Sequence, residues 1–255
     1  MTLTFSRRHL IQGLGSLPLA AVLADPRLAR AAAGSLQEVT LTTAGGRQAA
    51  AALAVPETTP APAIVLIHEW WGLNDQIKAV AADLAGQGFL ALAIDLYAGK
   101  STETREEAQA LMQAVDPEAA TDTLVSWVAW LKSHDKATGK VAVMGWCFGG
   151  GWALNGSIAA PVDATIVYYG RVEKPADQLA KLKGPVLGHF ATRDTFIDKA
   201  MVNGFEKAMA EAGKPVTVYW YDADHAFANP SGGRYDEADA ALAWARTLAF
   251  LDEML

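Results

Sequence analysis

The hydrophobic and polar positions of this chain alternate between two periods. Gln37 to Thr43 alternates apolar and polar, Gly45-Gly46 marks a turn, and Gln48 to Val55 is apolar again, which predicts a β-hairpin. Ala63 to Ile67 is an unbroken apolar run between Pro62 and the polar His68-Glu69, the pattern of a strand buried on both faces. A helix capped by Asn74 or Asp75 then runs to about Gly86, and Gly88 ends it. Phe89 to Ile94, Val141 to Met144, Thr165 to Tyr169, Val186 to Phe190 and Val216 to Tyr221 read as further strands. Between and after them, helical periodicity covers Thr102 to Val115, Pro117 to His134, Gly151 to Ala159, Asp198 to Ala212 and Tyr235 to Leu255. Pro117 sits well at a first helical position. Strands alternating with helices at this spacing predict an α/β fold whose central sheet is mostly parallel and covered by helices on both faces. No repeat or low-complexity linker divides the body, so residues 34–255 are expected to form one domain.

The first 33 residues follow another pattern. Arg7 and Arg8 precede an apolar stretch from Leu10 to Ala24, and Ala29-Arg30-Ala31 and Ala31-Ala32-Ala33 offer small-x-small cleavage sites. Ser6-Arg7-Arg8-x-Leu10 resembles a bacterial twin-arginine export signal, which implies the export machinery as a partner and a periplasmic or secreted product. An amphipathic N-terminal helix with a chance arginine pair is the plainer alternative. The apolar stretch is shorter than the ~20 residues of a spanning helix, so no membrane association is expected once the signal is cleaved.

Composition narrows the function. The 255 residues are 51% hydrophobic and 19% charged, enough for a sizeable core and unlike a disordered chain or a coiled coil. With 21 Lys+Arg against 28 Asp+Glu the net charge is -7. Cleavage after Ala33 would remove four arginines and one aspartate. An acidic body without a basic cluster argues against nucleic acid as a partner. The lone cysteine, Cys147, excludes an internal disulfide and a thiolate metal cluster. No metal-ligand, phosphate-loop or dinucleotide motif is present, so neither metal nor cofactor is expected.

That cysteine lies in Gly145-Trp146-Cys147-Phe148-Gly149-Gly150, after a predicted strand and before a predicted helix. This is the G-x-nucleophile-x-G pattern of the α/β-hydrolase elbow, with Cys in place of the commoner Ser. A nucleophile there projects above the sheet, sits at the positive end of a helix, and leaves the Phe148 N–H free for a developing oxyanion. In chain order an acid and then a base should follow. Asp194 lies just past the strand ending at Phe190, and His225 just past the last strand. Asp198, a rival for the acid, is better read as the cap of the helix that begins there. The expected roles are Cys147 as nucleophile, His225 as its base, and Asp194 as the group that orients the imidazole. The plainer alternatives are a structural Cys in a glycine-rich turn, a solvated Asp and a surface His.

Together with His68-Glu69-Trp70-Trp71-Gly72-Leu73-Asn74, Asp95-Leu96-Tyr97 and Tyr221 to Phe227, the elbow makes the chain resemble the dienelactone hydrolase family from about Leu36 to the C-terminus. The resemblance implies an α/β-hydrolase fold and a hydrolase of lactones or small carboxylic esters. It implies that Glu69 lies near the thiol and takes its proton when substrate binds, and that the Trp70 N–H completes the oxyanion hole. It implies a substrate pocket with Tyr97, Trp71 and, as a partial cation, Lys100. The family binds its substrate carboxylate with two arginines, whose places here hold Gly99 and Asn229. Arg171 and Arg193 lie in other loops. His68, His134 and His189 read as structural or solvated. A thiol redox sensor without a second cysteine, or a non-catalytic binding protein on the same scaffold, are the competing classes.

Overall fold

The computed structural model describes residues 18–255. Eight strands form one sheet in the order β1-β2-β4-β3-β5-β6-β7-β8. The strands are β1 (Gln37–Thr42), β2 (Gln48–Ala54), β3 (Ala61–Ile67), β4 (Leu90–Ile94), β5 (Ala137–Trp146), β6 (Ala164–Tyr168), β7 (Val186–Ala191) and β8 (Val216–Tyr221). The β1–β2 hairpin is antiparallel and β2 meets β4 antiparallel, whereas all pairs from β4 to β8 are parallel. Parallel strands need crossovers, and here helices supply them on both faces.

The two faces are read directly from β3. Ile64 and Leu66 point into one core with α3 (Asp75–Gly86) and α9 (Glu237–Met254), through Ile77, Val80, Leu84 and Leu251. Ala63, Val65 and Ile67 point into the other with α5 (Pro117–Lys132), through Leu124, Trp127 and Leu131. The helices α6 (Phe148–Ala159) and α8 (Lys199–Glu211) continue that second face over β6 and β7. All five residues from Ala63 to Ile67 are 0% exposed, and each such Val, Leu or Ile contributes about 1.5–3 kcal/mol through burial. That explains why the run is unbroken rather than alternating.

Some boundaries differ from the sequence pattern. The strand expected at Val141 to Met144 extends to Ala137–Trp146, because its first residues alternate between half-buried and exposed, with Ala137 paired to Ala61 of β3, before the buried stretch begins. The helix expected from Thr102 is α4 (Arg105–Gln113), stopped short by Thr104, whose hydroxyl caps it by accepting from the Glu107 N–H. A single turn, α7 (Ala176–Leu179), is not apparent in the periodicity. Most consequentially, α6 begins at Phe148 and not at Gly151. Three glycines make that turn a poor helix by propensity, and packing overrides them.

The expected leader is only partly within the described residues: Arg7, Arg8 and the apolar stretch up to Leu17 lie outside them. Residues beyond form α1 (Leu19–Ala24) and α2 (Pro26–Ala33), with Pro26 at the first helical position and the Asp25 carboxylate accepting from the Arg27 N–H at 2.8 Å. Val22, Ala29 and Ala32 pack on Ala79 of α3. Leu19 and Leu23 wall a cavity of about 370 Å³ whose far side is Ile77, Val80, Trp244 and Leu248. Among the described residues no helix is long and apolar enough to cross a membrane.

Candidate active site

Strand β5 delivers Cys147 at a strained turn. Its φ is +53° and ψ -116°, a left-handed conformation that costs a non-glycine residue about 1–3 kcal/mol. The turn is tight enough that α6 crosses almost in contact with the strands. A Cβ on Gly145 would stand 2.1 Å from the Gly149 carbonyl oxygen, and one on Gly149 would stand 2.3 Å from that of Ile67. Only glycine fits at either place, which is the physical content of the G-x-C-x-G spacing.

The sulfur meets a base. His225 Nε2 lies 3.1 Å from Cys147 Sγ, and Nδ1 lies 2.6 Å from Asp194 Oδ2. The other Asp194 oxygen accepts from the N–H groups of Phe196 at 2.8 Å and Ile197 at 3.0 Å. A carboxylate only accepts, so Nδ1 carries a proton and Nε2 is left to face the sulfur. Burial works against charge on both groups. For Asp194 the bonds from His225 and the backbone outweigh it and hold the carboxyl below its usual range. For His225 the Asp194 bond, and then the Cys147 thiol, push the imidazole up to about 10. Asp198 caps α8, accepting from the Met201 N–H at 2.8 Å, as expected of it.

The loop after β3 brings up a second acid. His68 is fully buried; its Nε2 accepts from the Leu96 N–H at 3.2 Å, so Nδ1–H donates to the Glu69 carbonyl at 2.5 Å. This pins the backbone at Glu69 and Trp70. The Glu69 side chain is 5% exposed, and Asn229 Nδ2 donates to its Oε2. Burial pushes the carboxyl up to about 7 despite that bond. The folded state therefore binds this proton more tightly than the unfolded chain does. Stability is lost as pH rises from about 4.5 towards 7, by about 3 kcal/mol in full. Glu69→Gln should accordingly raise the melting temperature at pH 8 and leave it nearly unchanged at pH 4.5. Thermal melts at the two values check this, and equal gains at both would contradict it.

The remaining expected residues separate. Trp70 follows Glu69 in the loop, and Phe148 opens α6; the N–H of neither donates to any described residue. Trp70 and Trp71 are half-buried and meet edge-on at 4.9 Å. Tyr97 is 5% exposed and packs on His68 and Phe148, with ring centroids 4.6 and 5.4 Å away; its buried hydroxyl has no partner among the described residues. Lys100 is exposed beyond the turn at Ala98-Gly99. Arg193 is engaged by Asp222 at 2.8 Å and Asp224 at 3.7 Å, and Arg171 by Glu173. His189 is a buried core residue bonded to Tyr221 and Thr247.

Three neighbours are not legible in the sequence as site residues. Tyr169, fully buried with φ +37°, lies edge-on to His225 at 5.2 Å, and the charges of Glu69 and Cys147 add to burial in pushing its hydroxyl up. Phe196 is 67% exposed with its ring 5.7 Å from His225. Asn229 stands out in the sequence only as the place of a missing arginine, whereas its actual partner is Glu69. Among the described residues no cluster of three or more His, Cys, Asp or Glu could hold a metal ion.

Comparison with known proteins points one way. The family model described as the dienelactone hydrolase family matches residues 49–255. Carboxymethylenebutenolidase of Pseudomonas putida is 33% identical over 77% of this chain and 87% of its own. Carboxymethylenebutenolidase 1 of Cupriavidus pinatubonensis is 29% identical over 84% of this chain and 95% of its own. Among solved structures, a dienelactone hydrolase-like promiscuous phosphotriesterase from metagenomic libraries superposes with a TM-score of 0.78 at 22% identity, over 86% of this chain and 98% of that one. A thermophilic esterase from Thermogutta terrifontis superposes with a TM-score of 0.62 at 17% identity, over 87% and 93%. The fold of these neighbours is the α/β-hydrolase fold expected from the elbow.

Proposed function

This chain belongs to the dienelactone hydrolase family of lactone and ester hydrolases, and from that premise we propose that it cleaves uncharged esters or lactones through a Cys147-His225-Asp194 triad. The observation that carries the reading is the unbroken line from sulfur to imidazole to carboxylate at 3.1 and 2.6 Å.

The chemistry follows from the atoms. Cys147 Sγ attacks the carbonyl carbon as its proton passes to a nearby base. The carbonyl oxygen becomes an oxyanion held by the N–H groups of Trp70 and Phe148. The thiol proton passes by way of Glu69 to His225 Nε2, and as the C–O bond breaks His225 gives it to the leaving alkoxide, leaving a thioester on Cys147. Water then attacks the thioester while His225 takes its proton. The acid departs and the thiol is restored. Glu69 is the first acceptor of the thiol proton in the role that family resemblance implies.

Charge sets the substrate class. Glu69, Asp194 and Asp95 stand around the site, the His225 imidazole is already engaged by Asp194 and Cys147, and nearby Arg193 is already paired. Gly99 and Asn229 occupy the family's arginine places. A carboxylate on the substrate would therefore meet repulsion without a bidentate partner. A panel of neutral aryl esters, neutral lactones and carboxylate-bearing lactones tests this. We expect kcat/KM at least about tenfold higher for the neutral members, the value of one lost charged contact. A preference for the carboxylate-bearing lactones would overturn the assignment.

Export belongs to the same proposal. The Arg7-Arg8 pair and the apolar stretch up to Ala24 support a leader removed after Ala33. Its loss would take α1 and α2 away and uncover the groove of Ile77, Val80, Trp244 and Leu248. The mass of the exported protein should correspond to a chain beginning at Gly34; a full-length exported chain would contradict cleavage.

A further inference from the structure

Glu69 is joined by one side chain to segments far away in sequence. Asn229, 4% exposed, donates from Nδ2 to Glu69 Oε2. Its Oδ1 accepts from Gln76 Nε2 at 2.9 Å, from the Ser231 N–H at 3.0 Å and from Ser231 Oγ at 2.7 Å. The Ser231 backbone N–H can only donate, so Oδ1 must face it and the amide NH₂ must face Glu69. The orientation of Asn229 is therefore dictated by its surroundings. Gln76 lies in the first turn of α3, so the helix that follows the Glu69 loop is tied back to that loop through the segment after His225.

We propose that Asn229, locked by Gln76 and Ser231, is a positioning residue that fixes the Glu69 carboxylate beside the Cys147-His225 pair. The inference rests on the role given to Glu69 above. A neutral amide supplies a directed donor without a charge. The other titratable or charged groups that act on Glu69 are His225 after β8, Tyr169 at the end of β6 and, at longer range, Arg234 before α9. Against the burial that raises the Glu69 carboxyl, the Asn229 bond is the largest opposing influence. Removing the donor raises the carboxyl further and frees its rotamer.

The experiment uses the full chain and two readouts. One is the pH dependence of kcat/KM for a neutral aryl ester. The other is the pH dependence of Cys147 alkylation by iodoacetamide, which needs no turnover. Asn229→Ala should move the acidic limb of both profiles upward by about half a pH unit or more, the scale of one hydrogen bond to a carboxylate. Gln76→Ala should move it less, and Asn229→Asp more, since Asp cannot donate and adds a like charge. In a Glu69→Gln background the displacement should vanish, because the group being tuned no longer titrates. Unchanged profiles in Asn229→Ala and Gln76→Ala, or a displacement that persists in the Glu69→Gln background, would overturn the proposal. Gln76→Ala, at a half-buried position, carries the test if Asn229→Ala does not fold. Absence of any esterase activity in the parent would sink the proposed function, while the alkylation profile would still judge Asn229.

Discussion

Replacing Cys147 by alanine should lower kcat for a neutral aryl ester by about ten-thousand-fold or more, leaving only the background set by the oxyanion donors and binding. The deletion removes the one atom that bonds to the acyl carbon, and no second cysteine can take its place. Ser157 is fully buried on α6, and its hydroxyl has no partner among the described residues, so it offers no substitute nucleophile. The fold should survive. Position 147 needs φ +53°, and alanine is strained there by about as much as cysteine is. Glycine is not, so Cys147→Gly should be equally inactive yet more stable, by about 1 kcal/mol. The pair of variants separates chemistry from structure. Matched ester assays and thermal melts would check it. Activity retained in Cys147→Ala would remove the thiol from the mechanism. A Cys147→Gly variant no more stable than the parent would remove the argument that the elbow stores strain.

What can be read along the chain is what the fold makes local. The elbow is six consecutive residues whose glycines answer close backbone contacts. Asp194 and His225 follow strand ends, and a parallel sheet gathers all such ends at one edge, so chain order alone puts them beside Cys147. The hairpin, the buried run at β3 and the capped start of α3 rest on nearest-neighbour chemistry in the same way. What escapes the sequence depends on distant pairs. Asn229 meets Glu69 across 160 residues, and nothing adjacent to either announces it. Tyr169 lies one residue beyond β6 with a positive φ, and no turn residue in the sequence marks that position. Lys100 sits next to the pocket in sequence and is exposed just past the Ala98-Gly99 turn, so its part in binding depends on the substrate that reaches it. Helix α6 starting at Phe148 shows packing defeating propensity at the very residues the chemistry requires.

Asp194→Asn should cost nearly as much as loss of the thiol, about a thousand- to ten-thousand-fold in kcat, although it replaces a single oxygen by nitrogen. The reason lies in which oxygen is free to become nitrogen. Asp194 Oδ1 accepts from the N–H groups of Phe196 and Ile197, and backbone donors tolerate only an acceptor there. The amide NH₂ of the substituted side chain is thus forced to the Oδ2 position and must donate to His225 Nδ1. An imidazole that accepts at Nδ1 carries its proton at Nε2, facing the sulfur, and cannot take another from the thiol or from water. The carboxylate that raises the imidazole to about 10 is lost as well, so the charged form of His225 becomes scarce near neutrality. Stability should respond with a definite pH signature. The parent gains from the lowered Asp194 only above the usual carboxyl range, and from the raised His225 only until pH climbs through about 10. The parent should therefore melt above the Asp194→Asn variant across the middle of the pH range, and the gap should close towards acid and towards pH 10. Melts from pH 3 to 10, run beside ester kinetics, test both parts. A variant with near-parental kcat, or a stability gap that does not depend on pH, would show that Asp194 does not govern the tautomer and charge of His225.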